Sequence, residues 1–136
     1  VESNRARFGD AMTSFAQADV ATLAHLPQLP PRSLVFSRQM FQHQCNEDVM
    51  KTLKLISNSN ALYALVTTFK TDPDFVNTDI NCASGGYRPQ DLMKPPFNLS
   101  PPIAWYDEKY PADRRVGLGL WRLPLTVGTV PPLDLF

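Results

Sequence analysis

Residues 85–109, GGYRPQDLMKPPFNLSPPIAWYDEK, constrain the fold more than any other part of the sequence. This proline-rich stretch contains five prolines and two adjacent glycines, and it shows no periodic apolar face. Because proline lacks a backbone N–H and fixes φ, a regular helix is excluded over most of the stretch. The stretch is nevertheless rich in aromatic side chains, which folded proteins tend to bury. It therefore predicts a long, stiff connection that packing holds in place.

Regular elements are predicted on both sides of this stretch and at its end. Short apolar or alternating runs predict five strands, at 14–20, 33–38, 61–69, 102–108 and 116–124. Charged and apolar residues mix without alternation over 1–12, which indicates the end of a helix that Gly9 stops. A second helix is predicted over 46–59, with Asn46 as its cap.

The order of these elements predicts an α/β fold. A strand, a helix and a second apolar strand imply a parallel pair, and the two closing strands imply an antiparallel pair. The expected result is a mixed sheet with an antiparallel C-terminal strand pair. The length of 136 residues suggests a single domain, which we place at 1–125, followed by an apolar tail over 126–136.

Charge and hydropathy exclude two classes of partner. The sequence has 13 basic and 13 acidic residues, so no basic surface for nucleic acid is expected. The longest apolar runs are too short to cross a bilayer, and no signal-peptide pattern is present. These features predict an intracellular, cytoplasmic protein.

The two cysteines, Cys45 and Cys82, form no CxxC pair, so the sequence predicts no metal site. Two free thiols in a reducing compartment are the expected state, and a single disulfide is the alternative.

Six segments resemble the C-terminal portion of class I S-adenosylmethionine-dependent methyltransferases. They occur in the family's order: VESNRARFG, SLVFSRQMFQH, ALYALVTTFKTD, NTDI, YRPQDLMKPPFNLSPPI and GLGLWRLP. The resemblance covers nearly all of residues 1–124. It implies a partial Rossmann-like methyltransferase fold, taken from a sheet of order 3-2-1-4-5-7-6 whose seventh strand is antiparallel. The five predicted strands would then be the family's strands 3, 4, 5, 6 and 7.

In this family the proline-rich stretch would connect strands 5 and 6 as a lid over the cleft at the strand ends, where ligands of open α/β sheets bind. Tyr87, Phe97 and Trp105 would anchor that lid. The family's glycine-rich cofactor loop is absent from this sequence. The strand at 33–38 would become an exposed apolar edge, which predicts self-association or a partner chain at that edge.

The resemblance also implies a set of site residues. Asp19 would contact the adenine of S-adenosylmethionine, and the favoured alternative is an aspartate that forms a turn or caps a helix. Arg38 and Gln42 would contact the cofactor. His43 would act as a general base, or else be structural. Arg88 would either pair with an anionic substrate group or tie down the lid.

Three further residues, Tyr87, Phe97 and Asn98, would shape the lid and the site for an unidentified methyl acceptor. The predicted function is that of a methyltransferase-like module, incomplete or inactive as this chain alone. The alternative is an active S-adenosylmethionine-dependent enzyme whose cofactor pocket is completed by an N-terminal segment or a second chain.

Overall fold

The computed structural model of the protein describes residues 1–109 and 111–128. Its helices and strands are α1 (Glu2–Phe8), β1 (Leu34–Ser37), a 3-10 turn (Phe41–His43), α2 (Asn46–Ser57), β2 (Tyr63–Phe69), β3 (Ala104–Asp107) and β4 (Val116–Arg122). None of the described helices combines the length and apolar character needed to cross a membrane. Of the predicted tail over 126–136, positions 129–136 lie outside the described residues.

The four strands form one mixed sheet in the order β1-β2-β4-β3. β1 and β2 are parallel, and α2 lies between them in the chain. β4 is antiparallel to β2 on one side and to β3 on the other. The predicted α/β class and the antiparallel closing pair are therefore confirmed.

Helix α2 begins where a distant loop supplies its cap. The backbone N–H of Asn46 donates to Asp79 Oδ1 at 2.8 Å, so Asp79 satisfies one of the free amide groups at the helix start. Asn46 was expected to cap the helix, but it is the first helical residue and Cys45 occupies the cap position. The side of α2 that carries Val49 and Leu53 is fully buried.

The proline-rich stretch forms part of the core. Leu92, Phe97 and Leu99 are buried in the same cluster as α2 and the sheet residues Ala64 and Trp121. Phe97 was expected to anchor a lid, and it does anchor the stretch, but within the core and with none of its surface exposed. The stretch therefore covers one face of the sheet as a helix would do.

Side-chain hydrogen bonds replace the backbone ladder that prolines cannot make. The Asn77 amide donates to the carbonyls of Asp91 and Pro95, both at 2.8 Å, and its oxygen accepts from the Asp91 N–H at 2.9 Å. At the end of β2, Thr68 Oγ1 accepts from the Leu92 N–H at 3.0 Å. These bonds fix the start of the stretch against the sheet.

The opposite face of the sheet remains partly open. Alternation along the strands places a set of apolar side chains there, and these are exposed or half-buried: Leu34, Phe36, Tyr63, Leu65, Tyr106, Leu118 and Leu120. We call this set the open face. Phe36 and Tyr106, at its two ends, are each 55% exposed.

The strand predicted over 14–20 is wrong. The segment has irregular backbone and pairs with no strand of the sheet, because its weak alternation of alanine and polar residues offers little apolar surface to bury. Local bonds hold it instead: Arg5 donates to the Phe15 carbonyl at 2.9 and 3.1 Å. The expected helix end is confirmed, since α1 stops at Phe8 and the Gly9 N–H bonds the Arg5 carbonyl.

The expectation of two free thiols is also wrong. Cys45 and Cys82 form a disulfide across a sequence separation of 37 residues. The Asp79 cap and the disulfide bring the same loop to the N-terminus of α2, a proximity that cysteine spacing alone does not reveal. Disulfides are typical of oxidising compartments, so this bond argues against the predicted cytoplasmic location. The compartment itself remains a prediction.

Candidate functional site

The carboxyl ends of three strands meet at one edge of the sheet. β1 and β2 are parallel, and both β2 and β3 are antiparallel to β4, so β1, β2 and β3 all end at this edge. In open α/β sheets this edge is where ligands bind. A cavity of about 550 Å³ lies here, which we call the cleft.

One carboxylate joins the two outer strands at this edge. Glu108, directly after β3, has a side chain only 5% exposed and pairs with Arg38 Nε at 2.5 Å. Its second oxygen accepts from Gln39 Nε2 at 2.6 Å. Gln39 lies in the left-handed region with φ of 56°, and its N–H donates to Thr67 Oγ1, which fixes the turn after β1.

Arg38 and Gln42 were expected to contact the cofactor, and the structure places both in this network. The Arg38 guanidinium donates to the Glu108 carboxylate. Gln42 is 1% exposed and donates through Nε2 to Gln39 Oε1, while its own Oε1 has no partner among the described residues. Side-chain hydrogen bonds therefore form a polar network beside the cleft, which links Gln42, Gln39, Glu108 and Arg38 in that order.

His43 and Tyr87 line the cleft side by side. Their ring centroids are 5.6 Å apart with the planes tilted by 53°. His43 Nδ1 lies 3.2 Å from the Gly86 carbonyl, which can only accept, so this contact requires the proton on Nδ1. In the neutral ring Nε2 is then unprotonated and available to take a proton. No carboxylate of the described residues bonds His43.

Asp113 and Arg115 also line the cleft, and they were not predicted as site residues. The Arg115 guanidinium donates to both Asp113 oxygens, at 2.9 and 2.6 Å. This bonding lowers the pKa of Asp113 and raises the pKa of Arg115, so both stay charged at neutral pH. Sequence alone gave no signal for them, because a pair on a short connection is usually solvated.

Arg88 is buried at 4% exposure and its guanidinium is used within the fold. It donates to the carbonyls of Thr78 and Phe41, at 2.8 and 3.2 Å, and to Asn46 Oδ1 at 2.8 Å. Burial lowers its pKa, and the nearby Asp79 carboxylate opposes that shift. These contacts correspond to the expectation that Arg88 ties down the stretch.

The remaining predicted residues do not join the cleft. Asp19 is exposed and its carboxylate accepts from the Ala21 N–H at 3.0 Å, which is the turn alternative. Phe97 belongs to the core, and Asn98 adopts a left-handed backbone with φ of 51°. The Asn98 carbonyl accepts from the Gly128 N–H at 2.8 Å, which ties the stretch to the chain after β4.

One group of described residues has the side-chain types of a metal site. The ligand atoms of Cys45, Asp48 and Cys82 lie within 4.8 Å of one another. Both sulfurs are in the disulfide and offer no thiolate for a metal in this state.

The fold and the cleft define a small α/β protein with a mixed four-stranded sheet. Comparison with known proteins does not place the chain in a family, since no family model, curated protein or solved structure matches it.

Proposed function

We propose that this chain is a methyltransferase-like module related to S-adenosylmethionine-dependent methyl transfer and incomplete on its own. The observation that carries the proposal is the strand order β1-β2-β4-β3 with β4 antiparallel. This order corresponds to strands 4-5-7-6 of the family's sheet, with the antiparallel strand in the same place. The order of the strands alone does not define an activity. The proposal therefore concerns the family from which the module descends before it concerns any reaction.

The open face supports incompleteness. Sheets that contain parallel strands are normally covered on both faces, whereas Leu34 and Phe36 of β1 are 46% and 55% exposed here. β1 also lies at one end of the sheet, so one side of its backbone has no strand partner among the described residues. A methyltransferase domain has its remaining strands on this side.

The residues present fit an acceptor site better than a cofactor site. Tyr87 and His43 give the cleft an aromatic wall and a basic nitrogen, Nε2, that can remove a proton from an acceptor. The described residues contain no glycine-rich loop between a strand and a helix, which is the element that would hold the methionine part of the cofactor. These residues therefore lack the main binding element for S-adenosylmethionine.

Titration with S-adenosylhomocysteine tests the proposal. We expect calorimetry to show no sub-millimolar binding, because most cofactor contacts are missing. In two-dimensional NMR spectra of the same sample, millimolar ligand should shift amide signals at the carboxyl edge, from Arg38 to His43 and at Tyr87. L-Methionine, which has the amino-acid and thioether groups but no adenosine, is the matched control and should leave those signals in place. Shifts that are absent, or that cluster away from this edge, would contradict a methyltransferase-like site.

The alternative is an active enzyme whose pocket a second chain or an N-terminal segment completes. The accessible cleft and the bare edge of β1 favour it. Tight one-to-one binding of S-adenosylhomocysteine would establish this alternative. Replacement of His43 by Gln should then reduce turnover and leave binding of the product unchanged, since a general base acts on the acceptor.

A further inference from the structure

The disulfide between Cys45 and Cys82 is strongly asymmetric. Cys45 is 1% exposed and occupies the cap position of α2, whereas Cys82 lies in an exposed loop. A disulfide opens when an external thiolate attacks one sulfur and the other sulfur leaves. Since a reagent from solvent reaches only the exposed side, the two possible attacks are not equivalent.

We propose that this disulfide is a thiol-exchange site, in which a small external thiolate attacks Cys82 Sγ and Cys45 leaves as a thiolate. The attack forms a mixed disulfide on Cys82, and the electron pair of the broken S–S bond stays on Cys45. A second thiol of the same kind then displaces Cys82. The products are the oxidised external thiol and two protein thiols, so two electrons and two protons enter the protein.

The place of Cys45 suits a leaving group. The N-terminus of a helix stabilises negative charge, and α2, with 12 residues, is long enough to do so. The Asp48 carboxylate acts in the opposite direction. It lies within 4.8 Å of both sulfurs and repels the incoming thiolate as well as the departing one. Asp48 therefore slows an exchange that the helix terminus favours.

The freed segment is short because other contacts hold both of its ends. Asp79 caps α2, and the buried Arg88 bonds three groups of the fold. Exchange therefore releases residues 80–85 and leaves α2 and the sheet intact. This segment ends beside Gly86, whose carbonyl accepts from His43, and Tyr87, which lines the cleft. The consequence for the cleft rests on the proposed function, but the exchange chemistry does not.

The first experiment maps the attacked sulfur. The oxidised protein is incubated with reduced glutathione, the reaction is quenched with acid, and the adduct is located by peptide mass spectrometry. We expect the glutathione adduct on Cys82. An adduct mainly on Cys45, or no adduct from folded protein, would overturn the proposal.

A pair of variants tests the electrostatic part. Asp48→Asn removes the carboxylate beside the sulfurs, and Glu47→Gln removes the neighbouring carboxylate, which is 70% exposed and pairs with Lys51. We expect Asp48→Asn to accelerate adduct formation by roughly three- to tenfold, because a close negative charge is lost. Glu47→Gln should change the rate by less than about twofold, since an exposed charge is screened. Equal rates in the two variants would contradict this role of Asp48.

Hydrogen exchange tests the released segment. After reduction, amide exchange should become faster within 80–85 and stay unchanged in α2 and β2. Faster exchange throughout the chain, or unchanged exchange within 80–85, would overturn the local release. These results do not depend on S-adenosylhomocysteine, so a failure here is distinct from a failure of the proposed function.

Discussion

Two charged residues hold the segment around Cys82 against the start of α2. Asp79 binds the first amide of the helix, and Arg88 binds two carbonyls and the Asn46 side chain. Arg88 does this through a planar, multiply donating guanidinium that lysine cannot replace. A buried arginine with three partners is therefore a structural residue in this chain, whatever part it has in activity.

Replacement of Arg88 by Lys should strongly destabilise the fold. Lysine keeps the charge but has a single nitrogen, so buried carbonyls lose their donors. We expect the free energy of unfolding in urea to fall by about 2–4 kcal/mol. Arg114→Lys, at an exposed position, is the control and should stay within about 0.5 kcal/mol. A wild-type value for Arg88→Lys would show that its hydrogen bonds contribute little.

Asp79 should make stability depend on pH in the acid range. Hydrogen bonds from the backbone, chiefly the Asn46 N–H, lower its pKa below the usual value of 3.8. A lowered pKa in the folded state stabilises the protein above the unfolded pKa, and this stabilisation disappears as pH falls through the folded pKa. Asp79→Asn should therefore flatten the loss of stability below about pH 4.

The measurement is urea unfolding at several acid pH values, with Asp74→Asn as a control in the same exposed loop. At neutral pH the change at Asp79 should cost less than about 1 kcal/mol, because Asn also caps helices and the group is largely exposed. A pH profile that is the same in wild type and Asp79→Asn would exclude this linkage.

At the level of elements, the two edges of the sheet differ in chemistry. β1 presents Leu34 and Phe36, while β3 ends with the charged and exposed Asp107. Charges at an edge strand discourage pairing with another chain, and a bare apolar edge favours it. The expected self-association or partner binding should therefore occur at β1.

Phe36→Lys should reduce concentration-dependent association, measured by sedimentation equilibrium. Tyr106→Lys is a closely matched control, since both aromatic residues are 55% exposed on the open face but lie on opposite edge strands. The same loss in both variants would indicate association through the whole open face. Monomeric wild-type protein at all concentrations would contradict self-association through β1.

Elements with strong local patterns were predictable. The apolar runs at 33–38 and 61–69 and the helix pattern over 46–59 predicted β1, β2 and α2 within a few residues. The weak alternation of 14–20 failed, because a strand needs a neighbour to pair with as well as alternating side chains. The proline-rich stretch was recognised as an anchored connection, but its place in the core depends on contacts with α2 that no local pattern contains.

The cleft was only half predictable for the same reason. His43 and Tyr87 were expected as site residues only through the resemblance to the methyltransferase family. Asp113 and Arg115 reach the cleft because β4 inserts between β2 and β3. This pairing brings distant parts of the chain together and is a property of the tertiary fold.

For the whole molecule, the disulfide is a large part of stability. It closes a loop with a sequence separation of 37 residues, and a loop of this size predicts a contribution of about 2–4 kcal/mol. Replacement of Cys45 and Cys82 by Ser together should lower the free energy of unfolding by this amount. Urea unfolding of wild type with a reductant is the parallel measurement. Equal stability with and without the bond would mean that Asp79 and Arg88 already fix the loop.

The pairing of β2 with β4 has a consequence for the speed of folding. Tyr63 pairs with Arg122 and Phe69 with Val116, so the centre of the sheet joins positions far apart in the chain. Proteins dominated by such contacts fold in milliseconds to seconds, because a long loop must close before any contact compensates for it. During synthesis β2 lacks its antiparallel partner until Arg122 has left the ribosome. Until then Ala64 and Val66 belong to an unfinished sheet, and this interval is when the nascent chain is most prone to aggregate.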